Sequence, residues 1–298
     1  MFPSILVLGA LGNVGAEVVN CLQASGVPVR AGDLFPENMR QRFGETTGCA
    51  SFDFSKPETF TPAFQGIERV FLMRPPQIAD VKKFMFPAID AAKAAGVRQV
   101  VFLSLIEIEQ NKIAPHYKVE QYLKKSGLGS TFLRCSFFMQ NLNTTHLAEI
   151  RDRDEIYIPV GKARTSFIDV RDIGAVAAAA LTQPGHENQA YDLTGGEALD
   201  YFQVASLFSH VLGRKITYKN PSSLAFFFRQ LRKRHLGYAL VTTWLYSNTR
   251  KGMAARVTGE VRRLTGREPI PMRQYIEDYR QSWEKTVKST APAMNYAK

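Results

Sequence analysis

The glycines that follow the first predicted strand have the spacing that most clearly indicates chemistry. They lie in the segment Gly9-Ala-Leu-Gly-Asn-Val-Gly15, a Gly-x-x-Gly-x-x-Gly pattern. Glycine at position 9 permits a tight turn, Gly12 lets the backbone approach a diphosphate, and Gly15 lets a helix pack closely on the strand. The unpaired N–H groups and the dipole of that helix stabilise phosphate charge. The residues expected to bind a dinucleotide here are Gly9, Leu11, Gly12, Asn13 and Val14.

An acidic residue follows the second predicted strand at the place where Rossmann proteins recognise ribose. Asp33 lies about 20 residues after the glycines, where a carboxylate accepts hydrogen bonds from the ribose hydroxyls and repels a 2′-phosphate. The neighbours Leu34 and Phe35 supply no guanidinium. Asp33 therefore favours NAD(H), whereas Arg30 and Arg40 keep NADP(H) open as the alternative.

Three further residues are candidates for the same edge of the sheet. Asp53 and Phe54 follow the third predicted strand, where a side chain can meet adenine, although an ordinary helix-capping role for Ser55 before Pro57 is at least as good an interpretation. Pro75 and Pro76 cannot continue a strand, so the chain turns outward at the carboxyl edge, where open α/β sheets bind ligands. Arg74, just before them, either touches a phosphate or is solvated.

The elements that must position these residues are predicted to form a parallel sheet covered by helices. Short β-branched or apolar runs alternate with longer amphipathic ones through the first half of the chain, as crossover helices require. The predicted strands are Ser4–Gly9, Val27–Gly32, Cys49–Phe52, Arg69–Met73, Gln99–Leu103 and Thr131–Arg134. The predicted helices between them are Ala16–Ala24, Pro57–Phe64, Ala79–Ala95 and Tyr117–Lys125.

The pattern changes after about residue 150, where a second lobe is expected to begin. Short strands near Ile156 and Ser166 precede helices at Val170–Leu181 and Tyr201–Leu212, and the chain beyond Ser222 is mostly helical. The fold class predicted is therefore α/β, a doubly wound Rossmann sheet over residues 1–152 with a smaller, mostly helical C-terminal lobe over 153–298. Residues 164–183 or so are expected to pack back on the Rossmann domain.

Composition limits the class of protein. A chain with 45% hydrophobic and 22% charged residues is typical of globular proteins. No apolar run approaches the roughly 18 residues of a membrane span, and the N-terminus lacks a signal peptide's basic region. The cysteines Cys21, Cys49 and Cys135 are widely spaced without a Cys-x-x-Cys pair, which favours a reducing compartment and no bound metal. We expect a cytoplasmic protein without a membrane partner.

The formal net charge of +11 allows nucleic acid, an anionic membrane surface or an anionic ligand as a partner. The densest basic stretch, Arg229–His235, lies between apolar helical segments, and this setting is typical of a solvated helix face. No nucleic-acid-binding motif accompanies it. The sequence therefore predicts no nucleic-acid partner and leaves the role of the stretch open.

Five segments resemble the NmrA-like family of atypical short-chain dehydrogenases, and the likeness covers residues 3 to about 215. They are the glycine segment, Val70-Phe-Leu-Met-Arg-Pro-Pro76, Ala91-Ala-Lys-Ala-Ala-Gly-Val97, Phe132-Leu-Arg-Cys-Ser-Phe-Phe-Met-Gln-Asn141 and Ser166-Phe-Ile-Asp-Val-Arg-Asp-Ile173. The resemblance implies a nucleotide domain and a small C-terminal lobe, with a cleft between them over the nicotinamide. Known members include quinone and azo-dye reductases, and redox sensors that bind dinucleotide without turnover.

The sequence departs from the wider dehydrogenase pattern at the catalytic position, because no Tyr is followed four residues later by Lys. His116 stands where relatives place Lys or His, and it is a proton donor, a ribose contact or an exposed residue at a helix start. Ser104, just past the fifth predicted strand, faces the nicotinamide or closes a turn. Phe137 follows the sixth strand, where the family closes over nicotinamide; core packing is the other interpretation.

The missing Tyr bears on the reaction. Reduction of a carbonyl makes a strongly basic alkoxide and needs a positioned acid, whereas reduction of a quinone makes a weakly basic aromatic oxyanion. The sequence therefore predicts an NAD(P)-dependent oxidoreductase that acts on a quinone-like or other conjugated small molecule, with the cofactor carrying the hydride. The alternative is an NmrA-type redox sensor that binds NAD(P) without turnover. A homodimer or a regulatory protein partner is left open.

Overall fold

The computed structural model describes residues 4–233 and 235–285, and its main feature is one seven-stranded parallel sheet. The strands are Ile5–Leu8 (β1), Val29–Asp33 (β2), Gly48–Ser51 (β3), Arg69–Met73 (β4), Gln99–Leu105 (β5), Gly129–Cys135 (β6), Glu155–Tyr157 (β7), Gln189–Leu193 (β8) and Thr217–Lys219 (β9). The α-helices are Asn13–Ala24 (α1), Pro36–Phe43 (α2), Phe60–Phe64 (α3), Val81–Ala94 (α4), Pro115–Ser126 (α5), Leu147–Arg153 (α6), Val170–Thr182 (α7), Tyr201–Leu212 (α8), Ser223–Leu231 (α9), Leu236–Thr249 (α10), Glu260–Thr265 (α11) and Met272–Asp278 (α12).

The strand order places a cleft at the carboxyl edge of the sheet. The order is β3-β2-β1-β4-β5-β6-β8, so the chain runs outward from β1 to β3 and then returns to build the other half from β4. Ile5 of β1 lies opposite Val29 of β2 on one side and Arg69 of β4 on the other. A reversal of this kind separates the loops that follow β1 and β4, and open α/β sheets bind ligands at such a point.

Two apolar layers cover the two faces of this sheet. On one face α1 and α7 pack together, because Gly174 lets them approach so closely that a Cβ there would lie 2.8 Å from the backbone of Glu17. On the other face the apolar sides of α3, α4 and α5 are buried. All four residues of β1 are buried, as expected for a strand covered on both faces.

A third apolar cluster forms the core of the C-terminal region. It combines residues of α8, α9, α10 and α12 with the two-stranded parallel sheet of β7 and β9. Trp283 and Tyr275 are fully buried in it. Arg171 at the start of α7 bonds Asp278 of α12 at 2.6 Å, so the end of the described chain is tied to the helix that covers the main sheet.

The predicted fold class is confirmed: a doubly wound α/β sheet with a mostly helical C-terminal region. Four elements were not predicted: α2, α6, β8 and β9. Only Met39 and Phe43 of α2 are buried, so its sequence carries little periodicity, and half-exposed β8 covers the edge of the sheet beside β6. In place of the strand expected near Ser166 there are two isolated bridges, an antiparallel one between Thr165 and Leu199 and a parallel one between Phe138 and Ile168.

The sequence also made predictions about the domain division, the basic stretch and membrane-spanning helices. The helix α7 packs on α1, while the division of the chain at residue 152 stays a prediction. Arg234 of the predicted basic stretch and the C-terminal residues from 286 lie outside the described residues. Within the described residues, none of the helices has the length and apolar character needed to cross a bilayer.

Candidate functional site

A cleft of about 430 Å³ lies at the carboxyl edge of β1, β2, β3 and β4. It brings together several residues that the sequence placed at this edge, including Gly9, Gly12, Asp33, Asp53 and Phe54. Its other lining residues are Gly32, Leu34, Phe52, Ser55, Met73, Pro75, Pro76, Gln77, Ile78 and Phe84. The cleft is therefore the candidate dinucleotide site.

Each of the three glycines in the opening loop is required for a different structural reason. Gly9 has a φ of +70°, and a Cβ on it would lie 2.4 Å from Sδ of Met73. A Cβ on Gly15 would lie 2.1 Å from the carbonyl oxygen of Gly9, so this glycine lets α1 approach the strand. At Gly12 a Cβ would meet its nearest atom at 3.2 Å and would project into the cleft that Gly12 lines.

The start of α1 fits a bound diphosphate. Gly12 is the N-cap residue, no side chain caps the helix, and its first turn holds no acidic residue. The amides of such a turn lack intrahelical partners and point out of the helix end, where an anion accepts from them. Asn13 is exposed at this end, whereas the side chain of Val14 is buried in the core, which leaves Val14 only its backbone to offer.

Asp33 is held against the glycine loop by backbone donors. Its Oδ2 accepts a hydrogen bond from the amide of Leu11 at 2.9 Å, and its Oδ1 accepts one from the amide of Leu34 at 2.7 Å. The carboxylate is therefore fixed at the end of β2, beside the loop, where it lines the cleft. Leu11 contributes to the site through this amide, because its side chain packs against the core.

A guanidinium that sequence reasoning missed lies beside the same loop. Arg42, on α2, donates to the carbonyl oxygen of Leu11 at 3.2 Å. The two arginines that kept NADP(H) open have other contacts: Arg30 donates to backbone carbonyls of residues 63 and 65, and Arg40 pairs with Glu37. The helix that carries Arg42 was not predicted, so no sequence signal placed this side chain near Asp33.

Asp53 and Phe54 line the cleft on the side of β3. One carboxylate oxygen of Asp53 accepts from both the hydroxyl and the amide of Ser55, at 2.7 and 2.8 Å. These hydrogen bonds lower the pKa of Asp53, so the carboxylate is ionised at neutral pH. The ring of Phe54 packs edge-on against Phe52 at 5.0 Å between centroids. This corner therefore offers a fixed negative charge and aromatic surface.

Arg74 braces the loop that follows β4. Its Nη1 donates to the carbonyl oxygens of Pro75, Pro76 and Ile78, at 3.0, 3.2 and 2.6 Å. Its Nε donates to Nε2 of His116 at 3.4 Å. Burial lowers the pKa of Arg74, although the guanidinium stays charged. The described contacts give Arg74 a loop-forming role, and contact with a phosphate stays a prediction.

His116 lies at the start of α5 as a neutral imidazole. Burial and the neighbouring charge of Arg74 lower the pKa of His116 to about 3. Because Nε2 accepts from Arg74, the ring proton is assigned to Nδ1. His116 is therefore unsuited to give up a proton as an imidazolium at neutral pH, and the group that it can still offer is the Nδ1 hydrogen.

Ser104 belongs to a buried polar network beneath the edge of β5 and β6. Its hydroxyl donates to Oε1 of Glu120 at 2.6 Å, and Arg134 contacts both carboxylate oxygens at 3.1 and 2.8 Å. Glu109 meets Arg134 from the outside at 2.9 Å. Ser104 is 1% exposed and Glu120 is fully buried, so this hydroxyl faces the network. A catalytic role for Ser104 stays a prediction that no contact described here supports.

Phe137 connects the end of β6 with the C-terminal helices. It is half-buried, and its ring stacks on that of Tyr246 from α10 at 6.3 Å. The Tyr246 hydroxyl lies 2.8 Å from Nε2 of His146, whose pKa burial lowers to about 4. This His–Tyr pair was not predicted. Among the aromatic residues of α9 and α10, Phe226 is buried in the core and Trp244 is exposed to solvent.

Comparison with known proteins gives relatives along most of the chain. The sequence profile of the NmrA-like family matches residues 2–231. The chain is 37% identical over 223 residues to the NAD(P)H azoreductase of Xenophilus azovorans, which covers 72% of this chain and 76% of that one.

Solved structures share the fold. An NADPH-dependent quinone oxidoreductase from Escherichia coli, complexed with NADPH, superposes with a TM-score of 0.83 at 22% identity, covering 92% of this chain and 99% of that one. NmrA, a negative transcriptional regulator in complex with NADP, superposes with a TM-score of 0.75 at 19% identity, covering 93% and 95%. Because the sequence identities are this low, the two structures support a shared fold and nothing more.

Proposed function

The chain belongs to the NmrA-like family, and from this premise we propose that it is an NAD(P)H-dependent reductase of quinone-like or other conjugated small molecules. The observation that carries the proposal is the open start of α1, where Gly12 leaves room for a diphosphate and no side chain caps the helix. The sequence relationship to an azoreductase supports an extended, conjugated acceptor.

Different residues in and beside the cleft would bind different parts of the cofactor. The amides of Asn13 and Val14 would bind the diphosphate, which Gly12 would admit because it has no side chain. The carboxylate of Asp33 would accept from the adenosine ribose. Phe54 would lie against the adenine, and Phe137 would limit the space around the nicotinamide. When bound, the nicotinamide supplies the hydride. The protein's part is to orient it and to exclude water from the acceptor.

Proton delivery in this site depends on a neutral histidine. We propose that the Nδ1 hydrogen of His116 bonds an acceptor oxygen beside the cleft, while Arg74 fixes the ring by donating to Nε2. An imidazole of this kind stabilises an oxyanion that is already weakly basic, but it is a poor acid for an alkoxide. The arrangement therefore favours quinone-like acceptors over simple ketones. In this proposal His116 bonds the acceptor, and Arg74 is a positioning residue.

Cofactor choice would follow from two side chains that both contact the backbone of Leu11. Asp33 favours NAD(H), as its position at the end of β2 suggested. Arg42 is a cation beside the same loop, and its guanidinium would attract a 2′-phosphate. We propose that Asp33 sets the preference and that Arg42 allows NADPH to bind as well.

Turnover is the test of the reductase proposal. Purified protein should bind NADH or NADPH in a calorimetric titration, and it should oxidise the bound cofactor when quinones or azo dyes are added without oxygen. Aldehydes and simple ketones should be poor acceptors. Binding without oxidation across the whole panel would falsify the proposal.

The second candidate is a redox sensor that binds the dinucleotide without turnover. The missing Tyr-x-x-x-Lys pair supports it, because loss of the usual acid removes a catalytic group but leaves the cofactor cleft intact. A sensor must discriminate oxidised from reduced cofactor, since a ligand shifts an equilibrium only through differential affinity. Equal affinities for NAD⁺ and NADH, with the same equality for the NADP pair, would exclude it. A cytoplasmic location, a homodimer and a regulatory partner remain predictions.

A further inference from the structure

The positive charge of the chain is concentrated in one segment. Residues 201–259 contain ten Lys or Arg and no Asp or Glu, whereas residues 1–200 contain 20 basic and 22 acidic side chains. The segment therefore carries +10 of the formal net charge of +11. An asymmetry of this size indicates an interaction with a negatively charged surface.

The same segment carries the largest group of exposed apolar side chains. Among the described residues, eight of the fourteen large hydrophobic side chains that are exposed lie on or between α9 and α10. Leu224 is 70% exposed, Val241 65% and Trp244 55%. We call this surface the apolar hairpin face. Its eight residues are Leu224, Phe228, Leu231, Leu236, Leu240, Val241, Trp244 and Leu245.

The inner side of the hairpin packs on the C-terminal core, so the apolar hairpin face lies on the outer side. Phe226 of α9 and Tyr246 of α10 are buried in the C-terminal core and meet ring edge to ring face at 5.4 Å. Ala239 and Thr249 are the other buried residues of α10. The rest of α10 is largely apolar as well, so the helix presents apolar side chains to the core and to the outside.

Three exposed cations lie just after α9 and α10 and have no acidic partners among the described residues. Arg232 follows α9, and Arg250 and Lys251 follow α10; all three are exposed, and none forms an ion pair with an acidic side chain in the described ranges. By contrast, Arg229 bonds Glu155 at 2.6 Å on the inner side. The hairpin therefore combines exposed apolar side chains along its helices with exposed cations at the C-terminal ends of α9 and α10.

We propose that the apolar hairpin face docks the protein on the surface of a bilayer that contains anionic phospholipid. Helices that lie in a membrane interface combine an apolar face with basic residues, and Trp favours the headgroup level. The apolar side chains would enter the acyl boundary, while Arg232, Arg250 and Lys251 would meet the phosphates. The docking differs from the sequence-based expectation of no membrane partner, because it requires contact with a surface and no spanning helix.

Charge argues against a second copy of the chain as the occupant. In a two-fold dimer each side presents the same patch to the other. Such a contact would bring Arg232, Arg250 and Lys251 of both copies together with no acid on α9 or α10 to offset them. Like charges placed opposite each other disfavour association. An anionic surface instead complements the patch.

Binding to vesicles tests the proposal without cofactor or acceptor, so its failure would leave the reductase proposal untouched. The full chain is sedimented with phosphatidylcholine vesicles, and with vesicles in which phosphatidylglycerol replaces part of the lipid. We expect binding about tenfold or more tighter to the anionic vesicles, weakened by added salt. The chain has two tryptophans, and Trp283 is fully buried, so a blue shift of the emission on binding, with quenching by brominated lipid, reports on Trp244.

Two variants and a matched control separate the apolar and charged parts. Trp244→Ser and the triple change Arg232→Gln, Arg250→Gln, Lys251→Gln should each weaken vesicle binding about tenfold. The control changes the same number of exposed cations far along the chain, at Lys82, Lys112 and Lys125, and should leave binding unchanged. Equal loss in the control, or no binding at low salt, would refute the proposal. So would a dimer in light scattering that Trp244→Ser dissociates, since the face would then belong to a second copy.

Discussion

Among the glycines of the first loop, Gly12 differs because the space beside its Cα belongs to the cleft. At Gly9 and Gly15 the same space is already occupied by Met73 and by the loop backbone. Substitution at either of those two positions disturbs the fold itself, so loss of binding there would say little about the ligand. Position 12 is therefore the residue at which cofactor binding can be separated from folding.

We expect Gly12→Val to weaken binding of both NADH and NADPH by at least about tenfold, because the side chain enters the diphosphate space. A Cβ at this position would lie 3.2 Å from the carbonyl oxygen of Gly9, a tight contact that a small shift of the loop can relieve, so unfolding should still be cooperative. Titration calorimetry and thermal unfolding measure the two effects. Gly259→Ala is the control, because a Cβ there meets no atom within 4 Å. Unchanged affinity in Gly12→Val would remove the loop from the site.

Arg42 gives a prediction about cofactor choice. Replacing it by Ala removes the cation that contacts the loop at Leu11 but leaves Asp33 and the glycines in place. We expect Arg42→Ala to weaken the binding of NADPH several-fold, while the binding of NADH changes little. Arg30→Ala is the comparison, because that guanidinium bonds the carbonyl oxygens of residues 63 and 65 instead. An equal loss for both cofactors would show that Arg42 supports the loop rather than the 2′-phosphate.

The neutral state of His116 can be measured directly. Its pKa is about 3 in the folded protein and near 6.5 when unfolded, so only the unfolded chain takes up a proton as the pH falls below 6.5. This contribution to stability is complete above 6.5 and is lost toward lower pH. When the pH falls from about 7.5 to about 5, the free energy of unfolding of His116→Asn should therefore decrease by about 1–2 kcal/mol less than that of the parent protein.

An NMR titration checks the same statement in the parent protein. The ring signals of His116 should not move between about pH 8 and about pH 5, whereas an ordinary histidine titrates in that range. A midpoint near neutrality would instead restore the imidazolium as a proton donor.

At the scale of elements, the contact between α1 and α7 links the cofactor loop to a helix far along the sequence. Gly174 permits it, since a Cβ would lie 2.8 Å from the Glu17 backbone. Nothing local distinguishes Gly174 from any other glycine in an Ala-rich helix. The requirement arises only when the two helices cross, and for that reason the sequence did not predict it.

We expect Gly174→Val to lower the free energy of unfolding by about 1–3 kcal/mol, because the side chain forces α7 away from α1. The start of α1 should shift with it, so dinucleotide affinity should also fall. Chemical denaturation and calorimetry measure both, with Gly259→Ala again as the control. Wild-type stability in Gly174→Val would mean that the two helices are not in close contact.

Most parts of the fold that the sequence predicted are buried on both faces or have an apolar period. The strands β1, β4, β5 and β6 and the helices α1, α4 and α5 are of this kind, whereas the predicted strands β2 and β3 are partly exposed. The helix α2 and the strand β8 bury few side chains and went unpredicted, and with α2 the position of Arg42 was missed. In the site, sequence placed the glycines and Asp33 because their roles are set locally. The bonds of Ser104 with Glu120, and of His116 with Arg74, depend on tertiary contacts.

At the scale of the whole molecule, the last described residues hold the C-terminal core together. Trp283 is fully buried, lies edge-on to Phe208 at 4.8 Å, and donates to the carbonyl oxygen of Ile276 at 3.2 Å. Arg214 in turn donates to the carbonyl oxygen of Trp283 at 2.7 Å. Stability of this region therefore depends on a residue close to the end of the described chain.

The two tryptophans offer a matched pair for this prediction. Trp283→Ala should lower the free energy of unfolding by about 3–5 kcal/mol, since it empties a large space in the core. Trp244→Ala should change it by less than about 0.5 kcal/mol, because that side chain is exposed. Urea denaturation of both variants measures the difference. Equal effects would contradict the burial described here.

The placement of β8 at the edge of the sheet has a consequence for synthesis on the ribosome. Its partner β6 ends at Cys135, but β8 begins only at Gln189, after the chain has made α6, β7 and α7. Until those residues emerge, β6 presents an open row of backbone donors and acceptors in a nascent chain that has otherwise built most of its sheet. Unpaired edges of this kind recruit other strands, so the interval is one in which a chaperone or fast translation protects the yield of native protein.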